Sequence, residues 1–212
     1  QSFAKLPLDV EALGIDLLAA TAHKIYGPAG IGMLYVRQKS PKVELTPQMT
    51  GGGHERGFRS GTSAVPLIVG FGRAVELCAD KREEENRRLG ILCNRLIDGI
   101  VEAHPDVILN GSREHRLPHN VNLCFPGLDA ESLIMKMKGI ACSTGSACTS
   151  TSLEPSHVIR ALGRKTELAH SAVRFSLGRF NTEAEISTAL ETINEAVAEM
   201  KQSLPSQRLL NS

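Results

Sequence analysis

The sequence has no excess of charge of one sign, since 24 lysines and arginines face 23 aspartates and glutamates. A nucleic-acid surface normally needs a basic stripe, so we expect no nucleic-acid partner. No apolar stretch approaches the length of a membrane span, so we expect no membrane partner either. The charged run from Asp80 to Arg88 is typical of a solvated helix face.

Cysteine pairs with metal-site spacing are also missing. The five cysteines lie at positions 78, 93, 124, 142 and 148, without a Cys-x-x-Cys pair or zinc-like spacing. This usage favours a reducing, cytoplasmic compartment. Cys78, Cys93 and Cys124 fall within apolar patterns and are interpreted as packing residues. For Cys142, packing is favoured over the role of a resolving thiol.

The octet from Thr21 to Pro28 places one lysine between polar neighbours. The apolar run Ile15–Ala20 predicts a buried strand, and Gly27-Pro28 ends it, so Lys24 is expected on the following loop. Such a lysine can form a Schiff base. Thr21 and His23 alternate along an extended segment and are expected to converge on an anion such as a phosphate. The alternative is an ordinary solvated lysine.

The segment from Ala141 to Ser152 contains only small, mostly polar residues around Cys148. Such a segment cannot anchor itself in a core, so we predict a mobile loop that carries Cys148 into and out of a site. The alternative is that Cys148 is a small buried residue like many other cysteines.

Two further stretches are candidate anion sites. The segment Gly51–Thr62 combines glycines, Arg56 and Arg59 just before a predicted helix, where backbone N–H groups favour negative charge. Tight-turn geometry is the default alternative. Arg174 lies within a predicted strand, where a guanidinium is costly unless it is paired.

The order of patterns predicts an α/β chain with a small α+β unit at its C-terminal end. The expected domains are 1–62, a helical linker region at 63–105, a compact unit at 106–203 and a disordered tail at 204–212. Helices are expected from about residue 63 with Pro66 in the first turn, over 130–138, and from a Thr182–Glu185 capping box to about residue 202. Strands are expected at 30–37, 120–125 and 172–177.

Several long motifs in order resemble the cysteine desulfurases, the class-V aminotransferase relatives that supply sulfur for iron–sulfur clusters. The motifs are Gln1, Thr21–Lys24, Gly51–Thr62, Ser146–Ser150 with Leu153–Ser156, and Arg174–Phe180. The resemblance runs from Gln1 to about Met200 and covers the C-terminal half of such an enzyme. It implies the end of a large pyridoxal-phosphate domain of fold type I, followed by the small domain. We therefore expect that a preceding half carries the phosphate loop, a stacking histidine and a pyridine-pairing aspartate.

The resemblance also implies a role for each matching residue. Lys24 would hold pyridoxal 5′-phosphate and move the Cα proton of L-cysteine. The phosphate would be bound by Thr21 and His23 and, across a homodimer, by Thr62 of the other subunit, while Gln1 would bond the phenolic oxygen. Arg174 would bind the substrate carboxylate.

The resemblance assigns the sulfur chemistry to Cys148, which would take up the substrate sulfur as a persulfide and leave L-alanine. It implies an iron–sulfur scaffold or another sulfur acceptor as partner, with a transient cluster at Cys148. Two alternatives remain open: a selenocysteine lyase or aminotransferase-like relative, and an incomplete fragment that serves only in dimerisation or interaction.

Overall fold

The computed structural model describes residues 1–144 and 155–203, and these form two compact units. The first unit extends from Gln1 to Glu84 and the second begins at Glu85. The boundary falls within one helix, α1, which extends from Val65 to Ala103. The functional division into four domains stays a prediction, and its proposed tail at 204–212 lies outside the described residues.

The strands of the first unit form a two-stranded antiparallel sheet. Strand β1 extends from Leu17 to Thr21 and β2 from Gly32 to Val36, with Leu17 opposite Val36 and Thr21 opposite Gly32. The expectation of a buried strand at this position was wrong, because β1 alternates between exposed and half-buried residues. On β2, Leu34 is 55% exposed.

The chain does not continue as an extended segment after β1. Residues Ala22–Ile25 form a short 3-10 helix, so the prediction of extended backbone and a loop at His23 and Lys24 was wrong. The reason is burial at a spacing of three residues: Ala22 is 0% and Ile25 is 1% exposed. In a 3-10 helix the side chains of residues i and i+3 lie on the same side, so the turn buries both apolar residues together.

Helix α1 contains Pro66 in its first turn, as expected, and is continuous over 39 residues. The sequence showed two apolar helical segments separated by a charged run. That run, Asp80–Arg88, is rich in lysine, arginine and glutamate, which have high helix propensity. The charged residues therefore join the two segments into one helix.

The second unit combines a four-stranded antiparallel sheet with helices. The strand order is β3-β4-β6-β5. In chain order the elements are β3 Ile108–Leu109, β4 Asn120–Cys124, α2 Ala130–Lys136, β5 Ser143–Thr144, α3 His157–Ala161, α4 Thr166–His170, β6 Ala172–Ser176 and α5 Glu183–Ser203. The predicted strands at 120–125 and 172–177 and the helix at 130–138 are confirmed to within two residues at each end.

The core of this unit packs one face of α1 against the sheet, α2 and α5. Its fully buried members include Leu89, Ile100, Leu123, Leu133 and Ile193. Burying a side chain of this kind stabilises the fold by about 1.5–3 kcal/mol. The apolar pattern of the sequence therefore identified the core-facing side of α1.

The cysteines expected to be packing residues are buried. Cys78 lies in the apolar cluster of the first unit and Cys93 in that of the second. Cys124 packs with Ile159 and Ala172 and accepts a hydrogen bond from the Asn110 side chain at 3.0 Å. Cys142 is half-buried against the main core, and this burial raises the pKa of its thiol. The packing interpretation is confirmed for these four residues.

The predicted capping box at the start of α5 is confirmed. The Thr182 N–H donates to Glu185 Oε2 at 2.8 Å, and the Glu185 N–H donates to Thr182 Oγ1 at 3.2 Å. The bond from the Thr182 N–H and, second, one from the Asn181 side chain favour the ionised carboxylate, so the pKa of Glu185 is lowered.

His104, immediately after α1, is a buried titratable residue. Its pKa is lowered, first by desolvation and then by the positive charge of Lys201. Asp106 and a backbone hydrogen bond with Asn194 act in the opposite direction. Its Nε2 atom is buried without a hydrogen-bond partner among the described residues. Protonation of His104 therefore places an additional charge in a poorly solvated position.

We predict that the second unit loses stability as the pH falls below about 6.5, the usual histidine pKa in an unfolded chain. A histidine with a lowered pKa in the folded state binds protons more readily when unfolded, so acid favours unfolding. Urea unfolding at pH 7.5 and 5.5 should show a smaller pH difference for His104→Gln than for the unsubstituted chain. Exposed His115 provides the control, and an equal effect of His115→Gln would contradict the prediction.

Candidate functional site

The end of β1 and the 3-10 turn that follows it carry three polar side chains, those of Thr21, His23 and Lys24. The turn buries Ala22 and Ile25, and these two residues form its base. Thr21 Oγ1 and His23 Nδ1 lie 2.9 Å apart in a hydrogen bond, so the two side chains lie on the same side of the chain, although through a turn, and their convergence on an anion stays a prediction. Lys24 is exposed and makes no hydrogen bond or ion pair with the described residues. The turn therefore offers a hydroxyl, an imidazole and a primary amine within four consecutive residues.

The base of the turn is fixed by close packing. Gly27 approaches Ala22 and Ala74 so closely that an added Cβ would lie 3.0 Å from Ala22 Cβ and 3.1 Å from Ala74 Cβ. The Gly27 N–H donates to the Ala22 carbonyl at 2.9 Å, and the Cys78 thiol donates to the Ile25 carbonyl at 3.6 Å. The backbone that carries Lys24 is therefore held against α1.

Gln1 lies near Lys24. The main-chain nitrogen of Gln1 lies within electrostatic range of the Lys24 ammonium group. The residues predicted to bind the phenolic oxygen and the aldehyde of the cofactor therefore lie in the same part of the first unit.

Sequence reasoning missed a second lysine close to this turn. Lys5 is only 5% exposed, and its Nζ lies 4.6 Å from the centre of the Tyr26 ring. Tyr26 directly follows the 3-10 helix and has a left-handed backbone, with φ of 66°. The signal in the sequence was weak, because Lys5 lies between apolar residues in an otherwise irregular segment.

The segment Gly51–Thr62 forms a looped turn ahead of α1. Gly53 N–H donates to Ser60 Oγ and Gly61 N–H donates to His54 Nδ1, each at 3.2 Å. Gly61 has φ of 120°, which residues with a side chain rarely adopt, so glycine is favoured there. Thr62 is exposed beyond this turn. Anion binding by the segment stays a prediction.

Arg174 lies in the middle of β6, opposite Asn122 on β4 and Ser143 on β5. It is half-buried and makes no hydrogen bond or ion pair with any residue that the structure describes. The two residues opposite it, Asn122 and Ser143, carry no negative charge that could neutralise it. A half-buried guanidinium with free donors is suited to an anionic ligand.

The predicted site residues are distributed over both units. Gln1, Thr21, His23, Lys24 and Thr62 belong to the first unit and Arg174 to the second. Cys148 lies outside the described residues. Within the described ranges, no group of three histidine, cysteine or acidic side chains could hold a metal ion. The described helices include none that is both long and apolar enough to cross a membrane.

Comparison with known proteins gives consistent matches. The family model described as aminotransferase class-V matches residues 1–188. A protein of Anaeromyxobacter dehalogenans named cysteine desulfurase IscS is 50% identical over 205 residues, which is 97% of this chain and 50% of that protein. The chain thus spans about half the length of the curated relatives that it matches.

Solved structures show the same fold. A NifS-like protein superposes with a TM-score of 0.81 at 32% identity, over 94% of this chain and 51% of the other. A structure described as SspA in complex with cysteine superposes with a TM-score of 0.63 at 34% identity, over 86% of this chain and 49% of the other. The fold is therefore that of NifS-like pyridoxal-phosphate proteins of fold type I, of which this chain matches about half. The chain belongs to the aminotransferase class-V family.

Proposed function

We propose that this chain takes part in a cysteine desulfurase reaction, in which L-cysteine is converted to L-alanine and the sulfur remains on Cys148 as a persulfide. The observation that carries the proposal is the turn at Ala22–Ile25, which presents Lys24 next to the hydrogen-bonded pair of Thr21 and His23. The relatives named cysteine desulfurase support the same activity.

The residues of the turn fit pyridoxal 5′-phosphate chemically. A hydroxyl and an imidazole 2.9 Å apart can both bind an anionic phosphate, and the exposed Lys24 amine can hold the aldehyde. Gln1, near Lys24, would bond the phenolic oxygen. When bound, this cofactor supplies a sink for the electrons released at the substrate Cα.

The remaining steps are assigned to side chains of this chain. Lys24 would remove the Cα proton and return a proton as general acid. Arg174 would bind the substrate carboxylate, for which a half-buried guanidinium without a partner among the described residues is suited. The SspA structure that contains cysteine is a relative of this chain and supports a cysteine substrate.

Chain connectivity supports a shared site for Arg174 and Cys148. Strand β5 places Ser143 opposite Arg174 on β6. Cys148 follows Thr144 by four residues, and four residues span at most about 14 Å. The Cys148 thiolate would attack the sulfur of L-cysteine. One carbon–sulfur bond breaks and one sulfur–sulfur bond forms, and the thiol proton goes to the carbon product, so L-cysteine and a thiol give L-alanine and a persulfide.

The wider setting of the proposal includes a homodimer and a sulfur acceptor. Exposed apolar residues Val65, Ile68 and Val69 at the start of α1 follow closely after Thr62 and support a self-association surface there. In such a dimer Thr62 would contact the phosphate of the other subunit. We further propose a cytoplasmic location, an iron–sulfur scaffold as acceptor and a transient cluster at Cys148, as the resemblance implies.

The first prediction from this proposal concerns Lys24. Lys24→Ala should lower alanine formation from L-cysteine by about 10²–10⁴-fold, because a positioned general base contributes about that much. Purified protein supplied with pyridoxal phosphate would be assayed for alanine, and reduced with borohydride to map the labelled lysine by mass spectrometry. Exposed Lys39 serves as the control through Lys39→Ala. Normal turnover by Lys24→Ala, or label at another lysine, would contradict the proposal.

The second prediction distinguishes the role of Cys148 from that of Cys142. Cys148→Ser should abolish the protein persulfide but retain the cofactor on Lys24, because Cys148 acts only on sulfur. Cys142→Ala should leave persulfide formation unchanged, since Cys142 is half-buried against the core and its thiol pKa is raised. Persulfide would be measured by mass spectrometry after incubation with L-cysteine. Persulfide in Cys148→Ser at the normal level would exclude this residue as acceptor.

The third prediction tests the proposed dimer surface. Val69 is 65% exposed on α1, and Val69→Glu would place a charge in the contact. We expect the dimer dissociation constant to rise at least about 100-fold, because a buried unpaired charge is costly. Light scattering during size-exclusion chromatography measures the change. Ile91→Glu, at another exposed apolar position of α1, should leave the mass unchanged. An unaltered dimer in Val69→Glu would exclude this surface.

A further inference from the structure

Lys5 is buried in the first unit, which is unusual for a lysine. Its side chain is 5% exposed, with Nζ 4.6 Å from the centre of the Tyr26 ring and 3.4 Å from the Tyr26 hydroxyl. The ring distance lies well within the range of a cation–π interaction, whereas the hydroxyl distance is at the long limit for a hydrogen bond. The two distances together place Nζ toward the hydroxyl end of the ring, so Lys5 contacts both the ring and the hydroxyl of Tyr26.

Tyr26 ends the turn that carries Lys24. Its φ of 66° lies in the left-handed region, which a residue with a bulky side chain rarely adopts. Its N–H donates to the Ala22 carbonyl, and the Gly27 N–H donates to the same oxygen. The conformation of Tyr26 thus closes the turn, and contacts that hold its side chain help to hold that conformation.

Lys5 also belongs to the segment that carries Gln1. The N–H groups of Lys5 and Leu6 both donate to the Ser2 carbonyl at 3.0 Å, which folds this segment into a tight turn. Phe3, inside the turn, packs edge-on against Phe71, with ring centres 6.2 Å apart. Lys5 therefore connects the Gln1 turn to the Lys24 turn through the contacts of its ammonium group with the Tyr26 side chain.

We propose that Lys5 is a positioning residue that fixes the Gln1 turn relative to the Lys24 turn by holding the ring of Tyr26. The inference deepens the proposed function, because it matters for catalysis only if Lys24 holds the cofactor. Lys5 itself touches no reacting atom. Its loss leaves Lys24 in place along the chain but lets the Lys24 turn open and its distance to Gln1 vary.

The experiment measures how fast pyridoxal phosphate becomes attached to Lys24, without substrate and without turnover. Attached cofactor is trapped with borohydride at timed intervals and counted on the Lys24 peptide by mass spectrometry. The variants are Lys5→Met, Tyr26→Leu and the double variant, with Lys5→Arg and Tyr26→Phe as conservative replacements. Lys39→Met, at an exposed lysine of the same unit, is the matched control.

We expect Lys5→Met and Tyr26→Leu each to slow attachment about tenfold, since the contact between the Lys5 ammonium and the Tyr26 side chain is lost in either case. The double variant should be no slower than either single variant, because both remove the same contact. Lys5→Arg should attach cofactor close to the normal rate, because the charge is kept, and Tyr26→Phe should be slowed less than Tyr26→Leu, because the ring is kept and only the hydroxyl is lost. Normal attachment in Lys5→Met, or additive losses in the double variant, would overturn the proposal.

A second measurement needs no cofactor. Hydrogen exchange of the Tyr26 and Gly27 amides reports opening of the turn, since both donate to the Ala22 carbonyl. It should rise about tenfold in Lys5→Met and Tyr26→Leu, without additivity, and rise less in Tyr26→Phe, which keeps the ring. If the unsubstituted protein attaches no cofactor but shows this exchange pattern, the proposed function fails and the Lys5 contact stands. Unchanged exchange in Lys5→Met and Tyr26→Leu would show that the Lys5 contact does not hold the turn closed. Should Lys5→Met not fold, the Tyr26→Leu and Tyr26→Phe comparison decides the matter alone.

Discussion

The burial of Ala22 and Ile25 against α1 is the constraint on which the candidate site depends. These two residues are three positions apart, and a single 3-10 turn is needed to bury both. The residues between them, His23 and Lys24, must then face outward. The close approach of Gly27 to Ala74 keeps the turn on the helix. The packing of these small apolar residues therefore sets the direction of the Lys24 amine.

Three arginines of the second unit differ in their protein partners. Arg179 and Glu85 are both largely buried and form an ion pair at 2.7 Å. Arg164 donates to Asn110 Oδ1 at 3.0 Å and to the Leu109 carbonyl at 3.1 Å. Arg174 has neither kind of partner among the described residues, and the residues opposite it on the two neighbouring strands, Asn122 and Ser143, carry no charge. A charge left half-buried without a protein partner is the arrangement expected where an anionic ligand supplies the missing group.

Sequence patterns predicted those parts of the structure that depend on residues close together in the chain. The Thr182–Glu185 capping box involves neighbouring residues, and the strand at Asn120–Cys124 follows from alternation. The conformation around Lys24 could not be predicted in the same way. Apolar residues before Gly27 suggest a strand in isolation, and only contact with Phe71, Ala74 and Cys78 of α1 makes a tight turn favourable. The contact of Lys5 with Tyr26 also escaped prediction, since the two residues are 21 positions apart.

The exposure of the predicted cofactor ligands limits what each can contribute through its charge. Gln1, His23 and Lys24 are all exposed in this chain. Two unit charges 4 Å apart interact by about 1 kcal/mol in water but by about 4 kcal/mol near a protein surface of lower dielectric. The attraction that an exposed side chain exerts on a phosphate therefore depends on how much water stays between the two groups. Fixed geometry adds a separate contribution, because groups that are already in place lose little entropy when the ligand binds. The buried base of the Lys24 turn supplies this fixed geometry by holding the backbone of His23 and Lys24 in place.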